Sequence, residues 1–146
     1  MIAYGSSVFV IGGRGDHLMQ RYAGLPLENL NVCQSLSADL KQILESSAIV
    51  PMRKLPSTRK NHSSIICGND MAIVYGGETF DGKSRDPSTD VFLVTLTSPQ
   101  QWYHLGSLEF GRLGHTMIEV GNRLIVHGGL GKDGVCGETF QIEITR

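Results

Sequence analysis

The sequence has no surplus of charge: thirteen Lys plus Arg stand against fourteen Asp plus Glu, a formal charge of -1. That leaves no basic field for phosphate backbones and no polybasic patch for anionic lipid, so neither nucleic acid nor a membrane surface is an expected partner. No apolar run approaches the roughly 18 to 20 residues that span a bilayer. Met1 leads into Ile2-Ala3-Tyr4-Gly5 without a basic n-region or a long apolar segment, so no signal peptide and no anchor are read. The three cysteines, Cys33, Cys67 and Cys136, lie far apart and lack the close pairs of a zinc or redox motif. An intracellular, cytoplasmic setting is the expectation. Charged residues make up only 18% and apolar residues 40% of the 146, which suits one folded domain rather than a disordered chain.

Glycine is what the sequence has in excess. There are 18 in 146 residues, well above the usual share of roughly 7%, and several come as doublets. Gly12-Gly13, Gly76-Gly77 and Gly128-Gly129 each end a β-prone run: Val8-Phe9-Val10-Ile11, Ala72-Ile73-Val74-Tyr75 and Leu124-Ile125-Val126-His127. Other positions keep step with them. Arg59, His62 and Gly68 correspond to Arg112, His115 and Gly121, and Ile49 to Trp102, each pair about 53 positions apart. Gly5 holds the place of Gly68 and Gly121. A period of this size marks tandem supersecondary units.

Each unit reads as β structure. Residues 63–67 and 116–120 form a first strand, a Gly-Asn turn follows, and the run before the diglycine is its hairpin partner. After a loop, residues 90–96 form a third strand and residues 102–105 a fourth. Their counterparts are residues 31–36 and 49–52 in the first copy and 139–144 in the last. Four antiparallel strands joined by turns make a meander. A glycine pair at the end of an inner strand suits a crowded layer where backbones approach closely. Arg59, His62, Arg112 and His115 recur once per unit, so a structural role hydrogen-bonding carbonyls between sheets is expected for them.

With the diglycine after the second strand and Trp102 on the fourth, the chain resembles the kelch-repeat family; Ile49 replaces the aromatic in the first unit. The resemblance implies an all-β fold of kelch-type β-propeller blades of four antiparallel strands, with the first strand of each nearest the central channel. The repeats run about 1–58, 59–111 and 112–146 within a single domain. This is a partial propeller of two complete blades plus a three-stranded third, because the seventeen residues after Gly129 do not reach a fourth strand. A propeller needs about four to eight blades, and an open stack leaves a bare apolar face at each end. Two outcomes follow: the chain is part of a longer propeller, or two copies join as a homodimer.

Specificity is expected where the copies differ, in the loops between second and third strands, residues 14–29, 78–89 and 130–137. Loops on a rigid frame are where recognition resides. The resemblance implies that these loops and the connections between blades lie on one rim that binds a protein partner. Arg14, Asp16, Arg21, Lys60, Arg85, Asp86, Lys132 and Asp133 are the candidate binding residues. Arg14-Gly15-Asp16 is an adhesion tripeptide only outside the cell and is read here as a turn. Ser37-Ala38-Asp39-Leu40-Lys41-Gln42-Ile43-Leu44-Glu45 predicts one or two helical turns.

No catalytic residue, metal site or cofactor is expected: the sequence has no phosphate loop, nucleophile elbow or dinucleotide fingerprint. Tyr75 and His127 match in register, but no second histidine and no neighbouring cysteine accompany them as a copper site would require. The function implied by the resemblance is a non-enzymatic interaction module of substrate-receptor or adaptor type. The alternatives are an accessory segment of a larger enzyme and a truncated product.

Overall fold

A computed structural model describes residues 2–5, 7–12, 14–15, 28–29, 33–37, 49–51, 57, 59–79, 86–97 and 99–144. Every regular element among them is a strand. The first sheet contains β1 (Ile2–Tyr4), β2 (Ser7–Ile11), β5 (Cys33–Ser37) and β6 (Ile49–Pro51), in the order β1-β2-β5-β6. The second contains β7 (Ser63–Cys67), β8 (Met71–Tyr75), β9 (Asp90–Thr95) and β10 (Trp102–Ser107), hydrogen-bonded in chain order. The third has β11 (Thr116–Val120), β12 (Arg123–His127) and β15 (Thr139–Glu143). All pairings are antiparallel, as short hairpin connections require. Sheets of four, four and three strands match the expected partial propeller. The predicted helical turns at 37–45 lie outside the described residues, apart from Ser37 at the end of β5.

The repeat seen in the sequence is also a repeat of register. Trp102 pairs with Val94, and Ile49 pairs with Leu36 at the corresponding place in the first sheet. β7 lies beside both β1 and β11, so the first strands of the three sheets are neighbours. What the sequence did not reveal is that the loops carry ladders of their own: β3 (Arg14–Gly15) with β4 (Glu28–Asn29), and β13 (Leu130–Gly131) with β14 (Gly134–Val135). Two-residue ladders carry no readable periodicity.

The cores lie between sheets. Ile2, Phe9 and Ile11 of the first sheet pack on Ala72, Val74, Phe92, Val94 and Leu96 of the second. The opposite face of the second sheet, with Cys67, Ile73, Tyr75 and Val91, packs on Met117, Leu124 and Val126 of the third. The second sheet is therefore buried on both faces. This explains why Ala72 to Tyr75 is an unbroken apolar run, buried at every position, whereas β12 alternates. Each large aliphatic side chain buried in this way contributes about 1.5–3 kcal/mol.

The outward face of the third sheet differs from the face the second sheet buries. Where the second sheet has Met71, Tyr75, Val91 and Leu93, the hairpin registers place Arg123, His127, Thr139 and Gln141. Ile118 and Val120 stay apolar and about half exposed. The bare apolar face expected at this end of the stack is thus reduced to Ile118 and Val120 of β11 with Ile125 of β12, which pairs with Ile118 and stands where the second sheet has Ile73.

Candidate binding site on the diglycine rim

The glycine doublets set the geometry of this rim. Gly76 and Gly77 adopt φ of 70° and 91°, Gly128 and Gly129 of 66° and 87°, a region that costs L-residues about 1–2 kcal/mol. At Gly76 the next repeat comes so close that an added Cβ would lie 2.4 Å from the Arg112 carbonyl oxygen and 2.8 Å from Cε1 of His115. The Gly77 amide donates to that same carbonyl at 2.8 Å. At Gly128 the nearest atom to such a Cβ is the Cys136 carbonyl oxygen at 3.5 Å.

The repeated cations and imidazoles lock the frame. Arg59 is fully buried, donates from Nη1 to the Gly76 carbonyl at 2.7 Å, and lies 4.9 Å over the Phe92 ring. Its bond therefore closes its own repeat, where a bond between sheets was expected. The histidines do bridge sheets. His115 hydrogen-bonds Ser63 through Nε2 and sets its ring edge-on to Tyr75; His62 meets the backbone of Ile11. Burial holds both imidazoles neutral, with pKa values lowered to about 4, and the nearby charges of Arg59 and Arg112 respectively add to the effect. Nε of both arginines and Nδ1 of both histidines are buried without a hydrogen-bond partner. Because that orphan recurs in both repeats, it belongs to the frame and marks no site.

Two connections converge on this frame. Arg112 lies 5.6 Å over Phe110 and 5.9 Å over Phe140, donates to the Gly111 carbonyl at 3.0 Å, and reaches Glu138 at 3.6 Å. The Tyr75 hydroxyl donates to the Phe110 carbonyl and so ties the linker between repeats to β8. Burial of that phenol pushes its pKa up to about 12. The β13–β14 hairpin folds over the other side of Arg112. Gly131 has no room for a side chain, with Cys136 Sγ at 2.9 Å and Arg112 Nη1 at 3.0 Å from its would-be Cβ. Between linker and hairpin lies an open cleft of about 420 Å³, lined by residues 109–112, 131–136 and 138. Phe110 is 49% and Val135 91% exposed, so apolar tips project among the charges of Glu109, Lys132, Asp133 and Glu138.

The predicted binding residues divide accordingly. Lys132 and Asp133 form the exposed turn between β13 and β14 and line the cleft. Asp86 is exposed beside Pro87, whose carbonyl oxygen lies 2.2 Å from where a Cβ on Gly111 would stand. Pro87 thus packs against the linker that lines the cleft, and Asp86 precedes it in the chain. Lys60 is tied down: its backbone exchanges hydrogen bonds with Glu78 at 3.2 and 2.8 Å, and its ammonium lies 3.4 Å from the Glu78 carboxylate. Arg14 lies in β3, and only its backbone is described; Asp16, Arg21 and Arg85 lie outside the described residues. Phe110, Arg112 and Val135 were not read as site residues from the sequence. The available signal was Tyr75, a hydroxyl-bearing aromatic where the other repeats have Ile11 and His127.

Among the described residues, no three His, Cys, Asp or Glu side chains gather as a metal site would need, and no helix is long and apolar enough to cross a membrane.

No family model matches the chain. Among curated proteins it is 33% identical over 91 residues to putative adagio-like protein 2 of Oryza sativa subsp. japonica, covering 60% of this chain and 14% of that protein. It is 32% identical over 93 residues to putative protein tag-53 of Caenorhabditis elegans, covering 64% of the chain and 7% of the relative. It is 40% identical over 80 residues to the Rab9 effector protein with kelch motifs of Rattus norvegicus, covering 53% and 21%. The chain thus spans only a small part of the length of each. Taken with the diglycine spacing, the stacked four-stranded meanders and their shared register, these similarities support a kelch-repeat family for the chain.

Proposed function

We propose that this chain is a non-enzymatic protein-interaction module, a kelch segment of adaptor or substrate-receptor type that presents its variable loops to a protein partner in the cytoplasm. In this reading residues 1–146 act as one unit within a longer propeller, and neither nucleic acid nor membrane is a ligand. One observation carries the reading: the linker 109–112 and the hairpin 130–135, which differ between repeats, converge on a cleft whose walls combine exposed apolar tips with charges of both signs. Such a mixture suits a polypeptide surface, where a few apolar anchors sit within a polar rim. The kelch motifs of a protein named as a Rab9 effector support a protein as the kind of partner.

The test compares two rims of one molecule. The chain carrying Lys132→Glu, Asp133→Lys and Val135→Asp is used as bait beside the wild type and beside Asn122→Ser, which alters the hairpin turn at the opposite rim. A protein retained by the wild type and by Asn122→Ser but lost with the triple variant, at unchanged thermal stability, is the expected result. A folded wild-type chain that captures nothing the triple variant does not also capture would overturn the reading.

A further inference from the structure

The linker between the second and third repeats is pinned along its backbone. The Phe110 carbonyl accepts from the Tyr75 hydroxyl. The Arg112 carbonyl accepts from the Gly77 amide at 2.8 Å, Leu113 exchanges backbone bonds with Leu130 at 3.0 and 2.8 Å, and the Gly114 amide donates to the Asn61 carbonyl at 2.7 Å. Gly111 is wedged against Pro87 without room for a side chain. On this fixed segment the Phe110 ring stays 49% exposed. A large aromatic held out by a rigid backbone has little freedom left to lose on binding, which suits it to anchor a ligand. The preceding repeat differs here. Its linker carries Ser57 at the corresponding place, and that hydroxyl accepts a hydrogen bond from Arg59 at 2.7 Å.

The charges around the ring select among ligands. Arg112 is 7% exposed and already engaged, by the Phe110 and Phe140 rings and by Glu138 at 3.6 Å. The exposed charges that line the cleft are Glu109, Asp133 and Glu138 against Lys132. Even with Arg112 counted, one negative charge is left uncompensated. Arg112 also demonstrates that Phe110 takes a guanidinium over its ring, at 5.6 Å, and half of the ring remains open. An entering carboxylate would meet other carboxylates and the negative face of an aromatic, whereas an entering cation is attracted by both.

We infer that the cleft takes a basic side chain, arginine in preference to lysine, from an extended segment of the partner polypeptide. The cation lies on the open part of Phe110 with Glu109 and Asp133 as counter-charges, and a neighbouring aliphatic residue rests on Val135. Arginine is preferred because its planar guanidinium stacks on an aromatic face and is more weakly hydrated than an ammonium. This specificity rests on the reading of the chain as a protein-interaction module and supplies the chemistry of what the module binds.

A phage-displayed library of random dodecapeptides is panned on the full chain, and the selected peptides are synthesised and titrated by calorimetry. Peptides whose binding is lost with the Lys132→Glu, Asp133→Lys, Val135→Asp chain should share one position held by arginine or lysine. Replacing that residue by citrulline, which keeps the shape of arginine and loses its charge, should weaken binding roughly tenfold or more. Phe110→Leu, and Glu109→Gln combined with Asp133→Asn, should each do the same, with the thermal melt of each chain as its folding control. The citrulline peptide keeps the test valid if Phe110→Leu fails to fold. Cleft-dependent peptides with no shared basic position, or binding indifferent to citrulline, would overturn the inference and leave the interaction module standing. Panning that returns no cleft-dependent peptide would overturn it as well, and the bait comparison above then decides separately whether the module itself stands.

Discussion

Gly76 and Gly128 are the same residue of the same motif in successive repeats, with φ of 70° and 66°, and they differ in what lies over them. Alanine at either site incurs the left-handed strain of about 1–2 kcal/mol. At Gly128 little more is added, because a Cβ makes only an ordinary contact with Cys136 at 3.5 Å. At Gly76 the methyl would overlap the Arg112 carbonyl at 2.4 Å, a backbone atom that cannot swing aside as a side-chain tip would. Relief requires the third sheet to move away from the second. Overpacking of this kind costs about 1–3 kcal/mol, and stretching the hydrogen bond from Gly77 to the same carbonyl adds about 1 kcal/mol. Gly76→Ala should therefore cost about 3–6 kcal/mol and Gly128→Ala about 1–2 kcal/mol. Urea unfolding followed by emission of Trp102, the only tryptophan, and by far-ultraviolet circular dichroism measures both. Equal losses, within about 0.5 kcal/mol, would refute the claim that the doublet is a seat for the following repeat.

Three further outcomes are expected. Trp102→Ala should cost about 2–3 kcal/mol by chemical unfolding, below the 3–5 kcal/mol usual for a fully enclosed indole because Trp102 is only partly covered; a loss under about 0.5 kcal/mol would remove it from the packing between sheets. Stability should fall with acidification: His62 and His115 are held neutral in the fold with pKa values of about 4 against an ordinary 6.5, so the unfolded chain takes up more protons as pH drops from about 6.5 towards 4. Urea midpoints across that window should decline, and His115→Gln should lessen the slope by up to about one proton; a flat profile in the wild type would contradict buried neutral rings. Tyr75→Phe should cost about 1 kcal/mol, the value of one neutral hydrogen bond to the half-exposed Phe110, and spectrophotometric titration of the wild type should find one phenol that ionises only near pH 12.

Much of the fold was legible because two independent signals coincided. Residues 63–67 and 116–120 were read as strands from their β-prone content and from their fixed distance to the diglycine, and both strands lie there. Trp102 was placed on a fourth strand by its offset from Ile49, and the two share a register. The site was less legible. Asp86, Lys132 and Asp133 stood out as charged loop residues, but composition gave no sign that Gly111 packs against Pro87 or that Arg112 closes the floor of a cleft. Those contacts arise only when one repeat stacks on the next, and an offset between copies does not say which faces meet. Lys60 was singled out as a charged residue, and its backbone pairing and ion pair with Glu78 were equally invisible in the sequence.

The outward face of the third sheet determines what kind of neighbour it can accept. Anything laid across it must dehydrate the guanidinium of Arg123, the carboxylate of Glu143 and the imidazole of His127, and buried charges are tolerated only when matched. A surface that is apolar throughout, like those that join the three sheets, would leave these groups unmatched. A surface bearing its own acids, bases and amides in complementary order would be held, and its grip would loosen with added salt.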